Sequence, residues 1–512
     1  MANTADNQSD DSDSDFDQSL VDMREAQPLT PGSSTVVISR TAFDKRPQWI
    51  LAVCASFGGV AMGAALGWSS PALPGIQKSM IVTENEISWI SSLINVGAAL
   101  GGPSGALSMD WIGRRGSIIV WALPATIAWM FLAYATDVWY LYVGRCLLGF
   151  CAGATCVFVP AIIGESSRPE IRGTLGACFQ LAVTIGVLFS YTFGMVLSWK
   201  SLANLCQTLP VMTAILMFFM PESPVYLIES GNEGAAQQAL QWLRGPHYNV
   251  IPELASLRRT VATVADPFQH ADARDPQSPR TSWLPSRAMV LPLLVSLGLM
   301  LNQQFCGINA VLFYTEDIFQ SAGSTVKPAL ATVIVGITMV AATLVGTLLM
   351  DLAGRRILLM LSNGFMAVAL AGMGIFFYLK STAPDLTDES FKWLPIASLC
   401  LFISAFSIGV GPIPWLITGE IFPPHTKKVA TSIATAVNWS MSFVVTKMFL
   451  GLVDAMGSEG VFGLFAGLSV LGFVFTYFFV PETKGKSLEE IEEYFIGRSS
   501  DSSIQYRSLR ND

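Results

Sequence analysis

Asp110-Trp111-Ile112-Gly113-Arg114-Arg115 and Asp351-Leu352-Ala353-Gly354-Arg355-Arg356 read nearly alike and stand 241 residues apart. Each follows an even number of long apolar segments, so the pair marks a duplication, one bundle of helices written twice. Two further repeats keep the same order: Gly164-Glu165 matches Gly419-Glu420 at an offset of 255, and Pro221-Glu222-Ser223 matches Pro481-Glu482-Thr483 at 260. The offsets differ only by loop length. One short turn recurs by chance; three in the same order do not.

The apolar segments decide the class. The 512 residues are 52% hydrophobic and only 13% charged, and the apolar ones are gathered in long blocks, a composition foreign to soluble domains. A hydrocarbon layer of ~30 Å takes about 20 helical residues to cross. Twelve such blocks begin near Ile50, Ile87, Gly116, Val138, Leu175, Ser201, Met289, Ala329, Ile357, Leu394, Val429 and Val461. The chain therefore reads as an all-α membrane protein with twelve transmembrane helices in two six-helix pseudo-symmetric bundles, 48–220 and 289–480. A helical linker, 221–288, lies between them on the cytoplasmic side, and tails 1–47 and 481–512 flank them. Duplicated helix bundles of this kind are mostly transporters.

Charge sets the orientation. With both termini cytoplasmic, 23 of the 30 Lys and Arg fall inside, and only Lys78, Lys200, Lys327, Lys380 and Lys392 fall outside, with Arg145 and Lys447 in helices. That split obeys the positive-inside rule. The net charge of −8 owes much to the tail Asp6 to Glu25, eight acids against one Arg; it is too polar to pack and implies no nucleic-acid partner. It lacks the apolar core of a cleaved signal, so the first helix serves as its own insertion signal. All eight cysteines lie in apolar blocks at uneven spacing, which reads as core rather than as a disulfide framework. In the linker, Ala236, Leu240 and Leu243, then Leu254, Leu257, Val261 and Val264, recur at helical spacing, while Asp266 to Ser286 reads as loop.

Uncharged amides interrupt the apolar helices at Gln180, Gln303, Gln304, Asn309 and Asn438. Such side chains donate and accept hydrogen bonds without carrying charge, and burying one unpaired is costly. The bland explanation for a single one is a bond between helices. Gln303 and Asn309 would point about 240° apart on an unbroken helix, so a shared site requires a break, and Gly307 supplies the place. Gly409, Gly411, Pro412 and Pro414 loosen the tenth helix just before Trp415.

These residues carry a family resemblance. Pro221-Glu222-Ser223, Gln303-Gln304-Phe305-Cys306-Gly307-Ile308-Asn309, Gly411-Pro412-Ile413-Pro414-Trp415 and Pro481-Glu482-Thr483-Lys484-Gly485 resemble the signatures of the sugar-porter family of the major facilitator superfamily, over about Gln48 to Phe495. Gly67-Trp68-Ser69-Ser70-Pro71-Ala72 is similar to class III facilitative glucose transporters. Gln303 to Thr325 and Val444-Val445-Thr446-Lys447 are closer still to insect facilitated trehalose transporters. The resemblance implies a major facilitator fold and a neutral sugar, hexose or trehalose, held by Gln180, Gln303, Gln304, Asn309, Trp415 and Asn438. The indole of Trp415 suits an apolar sugar face. Phe313, Tyr314, Phe406 and Trp439 are further lining candidates, for which ordinary packing is the competing explanation.

Asp110, Arg114, Arg115, Glu165, Arg172 and Glu222 in the first half, and Asp351, Arg355, Arg356, Glu420, Lys427 and Glu482 in the second, resemble the family's cytoplasmic gate. Its ion pairs join the halves when the cavity faces outward and part when it faces inward. The same Arg and Lys also enforce orientation. Three positions depart from the pattern: Val225 and Lys427 stand where Arg is usual, and Ile162 where Tyr is usual. Met339 replaces an Asn that many hexose carriers place in helix 8.

Proton-coupled relatives carry an Asp in helix 1; from Ile50 to Pro71 this chain has none, and Ala65 occupies the matching region. The expectation is a facilitative uniporter working by alternating access, with proton-sugar symport or a non-transporting sugar sensor as alternatives. No catalytic residue, cofactor or metal is expected. Tyr506-Arg507-Ser508-Leu509 matches a short endocytic or lysosomal sorting-adaptor pattern of a kind that mostly arises by chance; the plasma membrane is expected, with endosomal or lysosomal membranes as the alternative. The sequons at Asn7 and Asn438 fall where no glycosylation is expected.

Overall fold

Ten helices in the computed structural model are long and apolar enough to cross a membrane, and two details bring the passes to twelve. The element over Val429–Phe479 spans 51 residues but turns at Gly457, whose φ of 73° no helix sustains. Glu84–Ile112 is a 29-residue helix made less apolar than the rest by Ser88, Ser91, Ser92 and Asn95. The structure describes residues 44–265, 287–323, 326–384, 391–422, 424–486, 490–491 and 494–495. The acidic tail to residue 43, the loop 266–286 and the sorting pattern at Tyr506–Leu509 lie outside them.

In chain order the passes are Arg46–Gly67 (pass 1, extended by Ser69–Ser79), Glu84–Ile112 (2), Arg114–Ala133 (3), Val138–Ser166 (4) and Pro169–Gly194 (5). Trp199–Cys206 and Thr208–Phe218 form pass 6. Arg287–Phe305 with Ile308–Phe313 forms pass 7, extended by Thr315–Ala322; Pro328–Ala353 is pass 8 and Arg355–Thr382 pass 9. Leu394–Ile408 with Ile413–Glu420 makes pass 10, and Pro424–Phe479 holds passes 11 and 12. Pass 2 starts where Thr83 and Glu86 cap each other reciprocally, Thr83 N–H to Glu86 Oε2 at 2.7 Å and Glu86 N–H to Thr83 Oγ1 at 3.3 Å.

Glycines set the spacing inside the first bundle. A Cβ on Gly97 or Gly101 of pass 2 would collide with the backbone oxygens of Cys146 or Phe150 on pass 4. One on Gly149 or Gly153 would collide with those of Ile94 or Ala98 on pass 2. Two small-x-x-x-small stripes thus lie face to face, the packing that membrane helices use where no water drives association. Gly63 and Gly186 do the same for passes 1 and 5. Toward the surface, Val120, Leu123, Ile127 and Met130 of pass 3 stand exposed along one stripe, as a lipid-facing helix requires.

The halves meet along passes 2 and 11 and along passes 5 and 8. One end of the bundle, the basic face, carries both Gly-Arg-Arg turns; the other is the opposite face. The linker helices Pro224–Glu229, Glu233–Arg244 and Ile251–Ala265 are tied to the first half at the basic face. Gln48 Nε2 donates to Leu243 O at 3.3 Å while its Oε1 accepts from Arg168 N–H at 3.0 Å. Arg244 donates to Ser166 O at 2.9 Å and pairs with Glu253 at 2.6 Å.

Candidate functional site

Both expected helix breaks are present. Pass 7 stops at Phe305 and resumes at Ile308 across Gly307, which has φ 83° and whose added Cβ would strike the Phe465 ring; no other residue tolerates that conformation and that contact together. Pass 10 breaks between Ile408 and Ile413, freeing the carbonyls of Val410 and Gly411.

The break at Gly307 turns Asn309 back toward the two glutamines, and four amides join in one chain. Gln303 Nε2 donates to Val410 O at 2.9 Å and to Gly411 O at 2.7 Å. Its Oε1 accepts from Asn438 Nδ2 at 2.7 Å. Asn438 Oδ1 accepts from Gln304 Nε2 at 3.0 Å, and Gln304 Oε1 accepts from Asn309 Nδ2 at 2.7 Å. Asn309 Nδ2 also donates to Ser442 Oγ at 2.8 Å. The four side chains are 2–9% exposed. Their hydrogen bonds run through passes 7, 10 and 11, so a ligand that intercalates there acts on three helices of one half at once.

Gln180 on pass 5 and Trp415 on pass 10 are half-buried and make no side-chain hydrogen bond to the described residues, so their polar atoms are available. Trp439 is buried and its indole N–H has no acceptor among the described residues. Phe406 is half-buried. Phe313 is fully buried beside the Arg145 guanidinium, 5.9 Å from its ring centre. Tyr314 is buried too, stacked on Phe449 at 5.1 Å. Met339 is buried. Sequence reading missed Ser442, Thr446 and Asn95; the four-residue spacing of Asn438, Ser442 and Thr446 was the available signal.

Beyond the amides the halves are joined toward the opposite face. Asn95 Nδ2 donates to Thr446 Oγ1 at 3.0 Å, and Lys447 Nζ to Asn85 Oδ1 at 2.6 Å. Ser88 Oγ donates to Lys447 O at 2.8 Å, Tyr191 OH to Leu312 O at 2.8 Å, and Ser91 bonds Tyr314. Glu316, just past the membrane-crossing stretch that ends at Phe313, gives its N–H to Ser70 Oγ at 3.1 Å. Its carboxyl is pushed up to about 7 by burial and by Asp317, with Lys78 opposing; burial pushes Asp317 up to about 6. Toward the basic face, by contrast, Gly164, Gly173 and Gly176 face open space and Arg172 and Lys427 are exposed. At these positions the basic face leaves space beside the first half.

There several charged residues close on their own half. Arg114 pairs with Glu165 at 2.8 Å and Glu229 at 3.2 Å. Arg355 pairs with Glu420 at 3.4 Å. Glu222 accepts the N–H groups of Arg114 and Arg115, both at 3.0 Å, and Glu482 accepts those of Arg355 at 3.0 Å and Arg356 at 3.1 Å. Each carboxylate thereby caps the helix that follows a Gly-Arg-Arg turn, where the dipole favours negative charge. Burial would raise the Glu482 carboxyl, but the backbone N–H groups of Lys484, Arg355, Arg356 and Thr483 hold it below its ordinary value. Ser223 on Glu165 is mirrored by Thr483 on Glu420 at 2.6 Å. Arg115 and Arg356 reach the carbonyls of Phe218 and Tyr477, the ends of passes 6 and 12. Asp110 is exposed, and the side chain of Asp351 lies outside the described residues. Desolvation, then the charge of Arg172 across the cleft, depresses the Lys427 ammonium, with Glu420 opposing.

Arg145 is the one cation at the core of the first half among the described residues. It is 0% exposed and donates to Ile90 O at 3.0 Å, Ala65 O at 2.7 Å and Ser69 Oγ at 2.6 Å. Carbonyls and a hydroxyl thus fill its fork, and Ala65 contributes its backbone oxygen.

Residues 41–495 match the family described as "Sugar (and other) transporter". The facilitated trehalose transporter Tret1 of Polypedilum vanderplanki is 40% identical over 88% of this chain and 88% of its own length. The protein of that name from Culex quinquefasciatus is 41% identical over 88% and 86%. The one from Drosophila mojavensis is 42% identical, and there the chain spans 52% of the relative. Among solved structures, the proton:xylose symporter XylE bound to 6-bromo-6-deoxy-D-glucose superposes with TM-score 0.70 at 22% identity, over 88% of this chain and 99% of that one. The partially occluded inward open conformation of XylE from E. coli gives 0.71 at 22% identity, over 86% and 100%. These two likenesses bear on the fold alone.

Proposed function

Because the chain belongs to the sugar (and other) transporter family, we propose that it is a uniporter that carries trehalose or a hexose down its gradient by alternating access. One observation carries this reading: four buried, uncharged amides that satisfy one another across two helix breaks. Sugar hydroxyls donate and accept as the amides do, so a sugar exchanges bonds one for one without leaving an orphan. A charged ligand would find no counter-charge. Gln180 from the first half and the Trp415 indole complete the cradle, with Trp439 and Phe406 at its edge. Phe313 and Tyr314 belong to the closure at the opposite face rather than to the cradle on the four amides.

Passive transport is favoured by the surroundings of Arg145. A proton carrier there needs a carboxylate that alternates between the guanidinium and a proton; its hydrogen bonds go instead to carbonyls and Ser69. The basic face is cytoplasmic on this reading, both termini lie inside, and the protein sits in the plasma membrane. Its substrate is the small neutral sugar, and no reaction chemistry is assigned to it.

The gate consists of Asp110, Arg114, Arg115, Glu165, Arg172 and Glu222 facing Asp351, Arg355, Arg356, Glu420, Lys427 and Glu482. The pairing of Arg114 with Glu165 and of Arg355 with Glu420 inside their own halves supports an inward-open arrangement. Closure re-pairs the two clusters across the cleft, and a network of several pairs can bias states that differ by a few kcal/mol.

The test is uptake of radiolabelled trehalose and glucose into proteoliposomes, with and without an inward proton gradient. Equal uptake in both conditions supports uniport and names the substrate. Accumulation driven by the gradient overturns the passive reading, and absence of uptake for both sugars overturns transport.

A further inference from the structure

The seal at the opposite face is built from polar groups. Pass 2 contributes Ser88, Ser91, Ser92 and Asn95, pass 11 contributes Ser442 and Thr446, and all are buried. Asn438, Ser442 and Thr446 recur every four residues, so they form one stripe of pass 11 that rises ~12 Å from the amide chain. The stripe is bonded throughout: Asn309 Nδ2 to Ser442 Oγ at 2.8 Å, Thr446 Oγ1 to Ser442 O at 2.7 Å, Asn95 Nδ2 to Thr446 Oγ1 at 3.0 Å.

One atom is left over. Asn95 is 0% exposed, yet its carbonyl Oδ1 accepts no hydrogen bond among the described residues. An orphaned buried acceptor destabilises the closed seal, and an apolar side chain at this position would close without that cost. The amide is therefore matched to something that reaches it when the seal is open. With the halves apart, Asn95 stands on one wall and Thr446 on the other, and Tyr314, stacked on Phe449, lies one helical turn away through Ser91. That is a hydroxyl, an amide and an aromatic face, the same chemistry as the sugar cradle.

We infer that Asn95 and Thr446 form a second sugar subsite, which holds the second pyranose ring of a disaccharide while the first ring lies on Gln303, Gln304 and Asn438. The ~12 Å rise from Asn438 to Thr446 spans a disaccharide end to end. Ring entry replaces the Asn95–Thr446 bond and supplies the missing donor to Oδ1. A monosaccharide seated on the amides leaves this pair untouched. The inference rests on the sugar-transport reading given above.

It is tested by uptake of trehalose and of glucose into proteoliposomes by the wild type, Asn95→Ala and Thr446→Val, the last being nearly isosteric and safe for folding. Each substitution is expected to raise KM for trehalose about tenfold, the worth of one hydrogen bond, while KM for glucose moves less than twofold. Equal shifts for both sugars mean that the pair only holds the halves together, and overturn the subsite while transport stands. Wild-type uptake of glucose without trehalose also overturns the subsite alone. Uptake of neither sugar removes the transport reading and this inference with it.

Discussion

Gln303 is the amide with the most partners: it holds two freed carbonyls of pass 10 and the Asn438 amide of pass 11. Gln303→Ala and Asn438→Ala each remove a proposed sugar partner and orphan a neighbour, at about 1–3 kcal/mol. Uptake per transporter at the membrane should fall ~10- to 100-fold, measured as radiolabelled influx normalised to surface-labelled protein. An equal fall in surface protein would assign these amides to folding. The four linked amides, Gln303, Gln304, Asn309 and Asn438, stand out in the sequence because a polar residue inside an apolar helix is conspicuous; Gln180 and Trp415 do not join them, and their place at a sugar is a proposal. Asn95 and Thr446 were not singled out, because a lone Asn or Thr in a membrane helix is more often a local bond, and only the facing helix reveals what it meets.

Helix ends carry the next set of consequences. Glu222 and Glu482 each cap the helix after a Gly-Arg-Arg turn, Gly113 with φ 81° and Gly354 with φ 88°. Glu482→Ala should lower the melting temperature in detergent by a few degrees, since a lost cap costs about 1 kcal/mol. Because backbone N–H groups depress its carboxyl, that contribution is present at neutral pH. It is lost as pH falls through the depressed value, so the wild-type and mutant melting curves should converge in acid. The short helix Thr315–Ala322 behaves oppositely. Closure at the opposite face buries Glu316 and Asp317 and raises both carboxyls, to about 7 and about 6. Once open to water they return toward ~4. The closed state thus binds more protons, and acidification from pH 7.5 to 5.5 on that side favours it and slows reopening. Uptake should fall over that range, and Glu316→Gln with Asp317→Asn should flatten the profile; a proton symporter would show the reverse slope. The sequence placed the breaks at Gly307 and Gly409–Pro414, since glycine and proline act locally. It did not show that a separate short helix, Thr315–Ala322, follows pass 7 and carries two acids into the seam.

Taken whole, the molecule has space beside its first half at the basic face and hydrogen bonds between its halves at the opposite one. Arg172 and Lys427 face each other across the open cleft as like charges. Lys427→Glu should turn that repulsion into attraction and shift the population toward a closed basic face. Half-buried Cys178, one helical turn from exposed Thr174 on pass 5, reports it: labelling by a small maleimide in inside-out vesicles should slow several-fold in the variant. Unchanged labelling would separate this pair from the gate. Twelve passes and their duplication were legible because a bilayer demands long apolar runs and a repeat leaves motifs at matching offsets. Which face is open was not, since the same residues must build both states.

The glycine stripes of passes 2 and 4 have a mechanical corollary. Backbone laid directly on backbone leaves no side-chain slack, so the first bundle transmits rotation as a stiff lever about 43 Å long, the rise of 29 helical residues. A ten-degree tilt about its midpoint moves each tip by roughly 4 Å on that length, more than a hydrogen bond survives. Displacement is greatest at the tips, where Asn85 at the start of pass 2 meets Lys447 of pass 11. Widening the contact with Gly97→Leu or Gly149→Leu should leave the sugar cradle's residues in place and yet uncouple the two ends.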